Sequence, residues 1–328
     1  MNEHKPIYPF KQILTLEKLG LLLGVSVDLL RHVSQAADKY YRPGAKTVKK
    51  EKVRETIKAI DELYRLQGSI KEKLLDKVLY PAYLMGGIRK RDYLLNAKQH
   101  IGASIVINLD IANFFPSCCS EKIYDIWRHF FKFSKAVSRC LTLLTTSNNA
   151  LPQGVSTSAQ LANLVFFNAE HLVVTAFKFR GLIYTRYIDD FSISAQRKMS
   201  KEESAHIVSE IYKMLSSYGL RINRKKLTIS AAKDRMEVNK VGIGSGYIFP
   251  LKEKYENGGK EVQVDFDIED SIVNVKNKKK DFTLIKQKGN LLAIAYDVTD
   301  KKAGKKILEL VPWPIEITKP INTIEKKD

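Results

Sequence analysis

The chain has 328 residues, of which 44% are hydrophobic, which is enough for a sizeable core divided over two or three subdomains. Its 55 Lys and Arg residues outnumber its 36 Asp and Glu residues and give a net charge of +19. This excess favours a polyanionic partner, with nucleic acid first. The three cysteines lack the spacing of a zinc site, and no tract is polar and repetitive enough to indicate disorder.

The N-terminal stretch ILTLEKLGLLLGVSVDLL is apolar, but Glu17, Lys18 and Asp28 interrupt it. It is therefore too charged for a membrane span, and it lacks the ordered basic, apolar and small-residue regions of a signal peptide. We expect a cytoplasmic protein with no membrane partner. Residues 11–40 predict two short helices that break near Gly24.

The next elements follow from periodicity and turn residues. Residues 41–60 predict a basic hairpin, and SIVINLDI predicts a short strand that ends near Asp110. The stretches YTRYIDDFSIS and GLRINRKKLTIS predict further strands. Helices are predicted over residues 61–78, over 120–129 with Ser120 as the N-cap, over 134–145, in one long apolar segment after LPQG, and over 201–218.

Strands and helices alternate without a strict βαβ rhythm, so the fold class is predicted to be α+β. From about residue 248 the composition changes, and lysine becomes dense in KNKKKDFTLIKQKG. Apolar residues keep a helical spacing from Leu284 to Ala295, which predicts a mostly helical, basic C-terminal part.

The stretch YTRYIDDFSIS suits a half-buried strand, yet it contains the adjacent acids Asp189 and Asp190. Because a strand alternates its faces, both can face solvent together only at the tip of a tight hairpin. Adjacent acids are common in exposed turns, but Asp110 also ends an apolar strand. Strand-end carboxylates can together bind Mg²⁺, and two ions about 4 Å apart would activate a hydroxyl and stabilise a leaving pyrophosphate.

Four motifs, NLDIANFFPS, LPQGVSTSAQLANLVF, YTRYIDDFSIS and GLRINRKKLTIS, resemble those of reverse transcriptases in order and spacing. The match is closest to the bacterial retron-type group and covers about residues 40–245. The resemblance implies a right-hand polymerase: N-terminal helices and fingers over 1–103, a palm with an antiparallel sheet and a YxDD hairpin over 104–248, and a mostly helical thumb and tail over 249–328.

The resemblance also implies roles for individual residues. Asp110 and Asp189 would bind two Mg²⁺ ions, for which Mn²⁺ could substitute, with the Ile111 carbonyl as a further ligand and Asp190 in support. Lys226 would lie near the triphosphate and protonate the leaving pyrophosphate. The implied nucleotide-binding residues are Lys52, Arg54, Phe115 and Gln153.

Phe115 would lie beneath the sugar and disfavour a 2′-hydroxyl, although it or Phe114 must belong to the core. NAKQH fits a pattern typical of retron enzymes, and it makes His100 and Asn96 candidates for RNA contact or for structural roles. In the tail, the candidate nucleic-acid contacts are Lys278, Lys279, Lys280, Lys286 and Lys288.

Family membership would imply an RNA-directed DNA polymerase that copies a non-coding RNA into DNA from deoxynucleoside triphosphates. The RNA could also serve as primer. The resemblance further implies a role in phage defence and a separate effector protein. Val238-Asn239-Lys240 stands where retron enzymes usually carry Val-Thr-Gly. Another defence-associated reverse transcriptase is therefore the main alternative, and a non-catalytic RNA-binding scaffold or an RNA-templated RNA polymerase is a weaker one.

Overall fold

The computed structural model describes residues 4–49, 52–231 and 236–243, followed by the strand segments 248–250, 263–265, 272–276, 282–288 and 291–298. Internal contacts divide the chain into a first unit, Met1–Asn239, and a second unit, Lys240–Asp328. Among the described residues, every helix is too short or too polar to cross a lipid bilayer. The predicted three-part division at residues 103 and 248 stays a prediction.

The first unit opens with two short helices, α1 (Leu16–Leu23) and α2 (Val27–Gln35). Gly24 ends α1 in the left-handed region with φ 77°, and Ser26 caps α2 by accepting a hydrogen bond from the Leu29 amide. The predicted break near Gly24 is confirmed, because glycine adopts this backbone conformation without the steric cost of a Cβ.

A hairpin follows, made of β1 (Tyr41–Lys49) and β2 (Lys52–Ala59), and it leads into helix α3 (Asp61–Lys73). In α3 the apolar side chains of Leu63, Leu66 and Ile70 are buried, as their helical spacing predicts. The hairpin is therefore confirmed, and the helix predicted over 61–78 is confirmed as far as Lys73, where the α-helix ends.

A four-stranded antiparallel sheet forms the centre of the first unit. Its strands are β3 (Ile105–Asp110), β4 (Ile183–Tyr187), β5 (Asp190–Ala195) and β6 (Thr228–Ala231), in the order β4-β5-β3-β6. β3 is thus an inner strand, paired on one side with β5 and on the other with β6. This order places the strand end at Asp110 beside the start of β5.

Most of the remaining helices of the first unit contribute buried side chains to one hydrophobic core, which also includes strands of this sheet. The remaining helices are α4 (Tyr93–Lys98), α5 (Phe114–Ser117), α6 (Ser120–Asp125), α7 (Lys135–Thr145), α8 (Ser158–Leu164), α9 (Glu170–Phe179) and α10 (Lys201–Ser217). Two predictions are wrong in detail. Cys119, rather than Ser120, is the N-cap of α6, and the single helix predicted after LPQG is divided into α8 and α9.

The first unit ends with the short strand β7 (Met236–Val238). In the second unit, β8 (Val241–Ile243) pairs with β9 (Ile248–Pro250), and a separate antiparallel sheet has the order β10-β11-β12-β13. The strands of that sheet are β10 (Gln263–Asp265), β11 (Ile272–Lys276), β12 (Phe282–Lys288) and β13 (Leu291–Val298).

These strands correct the prediction of a mostly helical thumb, because Leu291 to Ala295 lies in a strand and not in a helix. Periodicity alone cannot separate a short apolar strand from a buried helical segment, and here pairing with β12 decides. Lys286 and Lys288 lie on β12, whereas Lys278, Lys279 and Lys280 fall outside the described residues.

Candidate active site

Asp110 and Asp190 face each other across neighbouring strands. Asp110 is the last residue of β3, Asp190 is the first residue of β5, and the antiparallel register pairs the two directly. The register of a buried sheet is fixed by its apolar face, so the flanking apolar residues of both strands place these acids together. Asp110 is buried, with 5% of its surface exposed.

Asp189 joins this pair through the turn between β4 and β5. Tyr187 pairs with Asp190, so only Ile188 and Asp189 form the connection. The backbone amide of Ile111 donates to the carbonyl oxygen of Asp189 at 3.0 Å, which ties this turn to the end of β3. The three predicted acids and Ile111 therefore lie at one end of the sheet.

The carboxylates influence one another strongly. Burial, followed by the charges of Asp189 and Asp110, raises the pKa of Asp190 to about 7 from its ordinary 3.8. Removal from water and nearby like charge both disfavour the ionised form of a carboxyl group. The ammonium of Lys226 acts in the opposite direction but is the weakest of these influences.

Lys226 and Asn223 both bind Asp110. The Lys226 Nζ lies 2.5 Å from Asp110 Oδ2, and the Asn223 side-chain amide donates to Asp110 Oδ1 at 3.2 Å. The Asn223 backbone amide also donates to the Asp110 carbonyl at 2.7 Å. Lys226 was predicted to lie near a triphosphate, and in this structure its ammonium is paired with the first acid instead. Asn223 was not predicted, although it directly precedes the basic RKK turn.

Asn239 supplies a second polar contact that the sequence analysis did not predict. Its side-chain amide donates to Asp190 Oδ2 at 3.3 Å, and its Oδ1 accepts a hydrogen bond from the Asn96 side chain. Asn239 is the middle residue of Val238-Asn239-Lys240, which replaces Val-Thr-Gly. The residue that differs from the usual threonine therefore contacts one of the acids. That departure was a usable signal for its position.

The acids fit a divalent cation by their chemistry. As the described residues are arranged, no group of three or more His, Cys, Asp or Glu side chains could hold a metal ion. Asp110 and Asp190 nevertheless share a side-chain hydrogen bond, and their mutual repulsion helps to raise the pKa of Asp190. Carboxylate oxygens are the hard ligands that Mg²⁺ prefers, and a cation between them would replace the charge that Lys226 now supplies.

The two phenylalanines of α5 have different environments. Phe114 is buried and stacks on Phe166, with ring centroids 5.9 Å apart and planes 6° apart. Phe115 is only half-buried and meets Phe114 edge-on at a centroid distance of 5.9 Å. Phe114 is therefore the core residue, and Phe115 is left as the candidate for substrate contact.

Gln153 lies against the β1–β2 hairpin. Its carbonyl oxygen accepts a hydrogen bond from the Ile57 amide of β2 at 2.9 Å. A Cβ on the next residue, Gly154, would lie 2.8 Å from the Ile57 carbonyl oxygen, so only glycine permits this approach. Lys52 and Arg54 are on the same strand, β2, five and three residues before Ile57, so the strand that contacts Gln153 also carries these two predicted nucleotide-binding residues.

For Asn96 and His100, RNA contact and a structural role were both predicted, and their positions favour the structural role. Both are fully buried, with 0% exposure. The His100 Nδ1 lies 2.7 Å from the Ser194 hydroxyl, and its Nε2 lies 2.8 Å from the Thr185 hydroxyl. Because both ring nitrogens have protein partners on β4 and β5, His100 connects α4 to the central sheet.

Burial lowers the pKa of His100 to about 3 from its ordinary 6.5. Below about pH 6.5 the unfolded chain therefore binds a proton that the folded chain excludes, and the free energy of unfolding falls by about 1.4 kcal/mol per pH unit. We expect wild type to lose about 2 kcal/mol more than His100→Gln between pH 6.5 and pH 5, measured by urea unfolding. An equal loss in both proteins would contradict the buried neutral imidazole.

The family model for reverse transcriptase (RNA-dependent DNA polymerase) matches residues 46–266. The Ec86 retron reverse transcriptase of Escherichia coli is 34% identical over 236 residues, which are 71% of this chain and 72% of that protein. The chain belongs to the retron-type reverse transcriptases. The matched region of this retron-type chain includes all three acids, Gln153 and Lys226.

Two further retron reverse transcriptases are similar. The Se72 enzyme of Salmonella heidelberg is 35% identical over 232 residues, which are 70% of this chain and 61% of that protein. The Ec48 enzyme of Escherichia coli is 30% identical over 230 residues, which are 66% of this chain and 56% of that protein. This retron-type chain therefore spans less than two thirds of the length of the Se72 and Ec48 relatives.

Proposed function

We propose that this chain is an RNA-directed DNA polymerase that copies a partner non-coding RNA into DNA. The observation that carries the proposal is the meeting of Asp110, Asp189 and Asp190 at one end of the central sheet, in a chain of the reverse transcriptase family. Polymerisation needs such a carboxylate cluster, because nucleotidyl transfer develops negative charge on both the attacking and the leaving oxygen.

Reverse transcriptases generally use divalent metal ions, and here we propose two Mg²⁺ ions, with Mn²⁺ as a substitute. Asp110, Asp189 and the Ile111 carbonyl would hold them, and Asp190 would support that set. The bound ions would supply a Lewis acid for the 3′-hydroxyl and for the pyrophosphate. Asn223 keeps Asp110 oriented from β6's side through its two hydrogen bonds to that residue.

Other residues would bind and orient the deoxynucleoside triphosphate. Gln153 and the β2 residues Lys52 and Arg54 would line its pocket, since a guanidinium suits bidentate contact with phosphate. Phe115 would exclude a 2′-hydroxyl. Lys226, once released from Asp110, could deliver a proton to the leaving pyrophosphate.

This assignment also supports a right-hand architecture. The β1–β2 hairpin belongs to the fingers, within residues 1–103, and the four-stranded sheet with its YxDD turn belongs to the palm, within 104–248. Residues 249–328 contribute the thumb and tail, now with strands in the described part. The residues near the acids, rather than this division, carry the proposed chemistry.

The partner RNA is proposed from the relatives' names, which describe retron reverse transcriptases. On that basis the DNA product would be the msDNA of a retron. Asn239, in place of the usual threonine, contacts Asp190 and Asn96, so this departure from Val-Thr-Gly lies beside the acids. A role in phage defence, an effector protein and a cytoplasmic location stay predictions.

The most direct test is to sequence the nucleic acid that co-purifies with the protein. We expect one abundant RNA, together with DNA complementary to part of it. Adding deoxynucleoside triphosphates and Mg²⁺ to the purified complex should lengthen that DNA. A heterogeneous RNA mixture and no extension on any primed template would contradict the proposal and favour the scaffold alternative.

The lysines of the tail offer a separate test of RNA binding. Each lysine that neutralises a phosphate releases counterions, so changing Lys278, Lys279 and Lys280 to Ala should flatten the slope of log affinity against log salt by roughly two to three units. RNA binding from about 50 to 300 mM salt measures this slope. Equal RNA affinities and equal salt slopes for wild type and the triple variant would contradict phosphate contact by these lysines.

A further inference from the structure

Arg186 is fully buried in β4, and each of its guanidinium N–H groups has an acceptor. Nε and Nη2 donate to the two carboxylate oxygens of Glu170 at 2.5 and 2.7 Å. Nη2 also donates to the Asn163 carbonyl at 2.9 Å, and Nη1 approaches the Asn163 Oδ1 at 3.4 Å. The remaining Nη1 contact is a hydrogen bond of 2.8 Å to the carbonyl oxygen of Ile188.

The Arg186 guanidinium stays charged despite its burial. Burial on its own would lower the pKa of Arg186, but the charge and hydrogen bonds of Glu170, together with Tyr184 and Tyr83, raise it, and the net pKa of the guanidinium is raised. Tyr184 also donates to Glu170 Oε1 at 2.6 Å, and the Arg186 guanidinium lies over the Phe166 ring at 5.2 Å. Side chains and backbone groups of β4, α8 and α9 therefore supply hydrogen-bond partners for both members of the ion pair.

Ile188, whose carbonyl oxygen accepts a hydrogen bond from Arg186, has a strained backbone. Ile188 has φ 59°, which is a rare conformation for a β-branched side chain. A hairpin turn with a positive φ at its first central position normally carries glycine there. Something around Ile188 must therefore hold it in place, because strain of this kind persists only when the surroundings determine it.

Contacts with the chain segment around Gly86 also hold the backbone of Ile188 in this conformation. The Ile188 side chain packs against Gly86 so closely that a Cβ on that glycine would lie 2.6 Å from Ile188 Cγ1. The segment carrying Gly86 is itself tied to β4, because Arg186 donates its backbone N–H to Tyr83 and accepts from Met85, each at 2.8 Å. Asn163 also binds this segment by donating to the Gly86 carbonyl at 2.6 Å.

We propose that Arg186 and Glu170 form a positioning pair that fixes the Ile188–Asp189 turn and so sets where the Asp189 carboxylate lies relative to Asp110. This inference rests on the proposed polymerase function of the acids. The geometry points to positioning because one guanidinium N–H group reaches the carbonyl that directly precedes Asp189. Lysine could keep the charge but not the planar fork that binds Glu170, Asn163 and Ile188 at once.

Three variants separate positioning from simple stabilisation. Arg186→Lys keeps the charge and loses the fork. Arg186→Met leaves Glu170 unpaired. The double variant Arg186→Met with Glu170→Leu replaces the whole ion pair by apolar groups, an exchange that is often neutral or stabilising for a buried pair. Arg180→Met is the matched control, because Arg180 also binds a glutamate, Glu210, at 2.9 Å and lies over a phenylalanine ring.

The measurements are thermal unfolding, Mn²⁺ binding by electron paramagnetic resonance on the RNA-bound protein, and kcat for primer extension against Mg²⁺ concentration. For a folded Arg186→Lys or double variant we expect kcat to fall by about 10²-fold. We also expect the half-saturating Mn²⁺ concentration to rise by about tenfold, as for loss of a group that orients a metal ligand. Arg180→Met should change only the unfolding temperature.

The outcomes are distinguishable. A double variant with wild-type stability, wild-type kcat and wild-type Mn²⁺ affinity would show that the pair serves stability alone and would overturn the inference. If wild type makes no DNA on any template, the proposed function fails. Even then, weaker Mn²⁺ binding in the double variant than in wild type would support the positioning role, and equal binding would contradict it.

Discussion

Asp189→Asn and Asp110→Asn should each lower primer extension by about 10³-fold or more, which is the upper end of the cost of losing one charge-stabilising group. The amide has nearly the shape of the carboxylate but lacks the charge that binds a divalent cation. RNA binding should stay within about twofold of wild type, because these acids would contact metal and not the RNA backbone. Single-nucleotide extension and RNA titration on the same preparations measure both effects.

Stability provides the internal check for these variants. Burial, and then repulsion by the carboxylates of Asp189 and Asp110, raises the pKa of Asp190, so these acids repel one another in the folded chain. Removing the Asp189 charge should therefore leave the unfolding temperature unchanged or raise it, as is common where a site is built for function. Asp110→Asn also loses the ion pair with Lys226, so no rise is expected for that variant. Asp28→Asn, at a side chain that is 96% exposed, serves as a control that should change neither quantity.

Extension by Asp189→Asn at near wild-type rate would show that the metal assignment is wrong. Lost extension accompanied by a lower unfolding temperature would mean that the carboxylate serves the fold. The structure makes that second result unexpected for Asp189, which lies in a two-residue turn at the end of a sheet whose strands pair without it.

Features that depend on neighbouring residues in the sequence were predicted well. The break at Gly24, the β1–β2 hairpin and the helix α10 all follow from turn residues or from amphipathic spacing, and each is present. The meeting of Asp110 with Asp190 also followed, because two apolar strands ending in acids need only antiparallel pairing to bring those acids together.

Features that depend on distant contacts were missed. The buried Arg186 looked like an ordinary basic residue in a strand, since its partner Glu170 lies on a helix that precedes that strand. Asn239 binds Asp190 across 49 positions of the chain, and the departure from Val-Thr-Gly marked its position without identifying its partner. The strand β13 was mistaken for a helix because its apolar run satisfies both periods, and only pairing with β12 distinguishes them.

Phe115→Val should raise the incorporation of ribonucleotides relative to deoxynucleotides by about 10- to 10²-fold, the range over which a steric pocket discriminates a small added group. In the structure Phe115 is half-buried and its neighbour Phe114 occupies the core, so removing the Phe115 ring should open space without collapsing α5. Single-nucleotide kcat/KM values for matched ribo- and deoxynucleoside triphosphates give the ratio.

Phe114→Leu is the matched control, one residue away on the same helix. It removes a ring that stacks on Phe166, so it should lower the unfolding temperature and leave the sugar preference as in wild type. The two variants therefore have different expected profiles. Phe115→Val should change selectivity with only a small loss of stability, because Phe115 packs against the core but is half-buried, and Phe114→Leu should lose more stability without a change of selectivity. If Phe115→Val keeps the wild-type preference and loses stability, Phe115 is a core residue and the sugar is read elsewhere in the pocket.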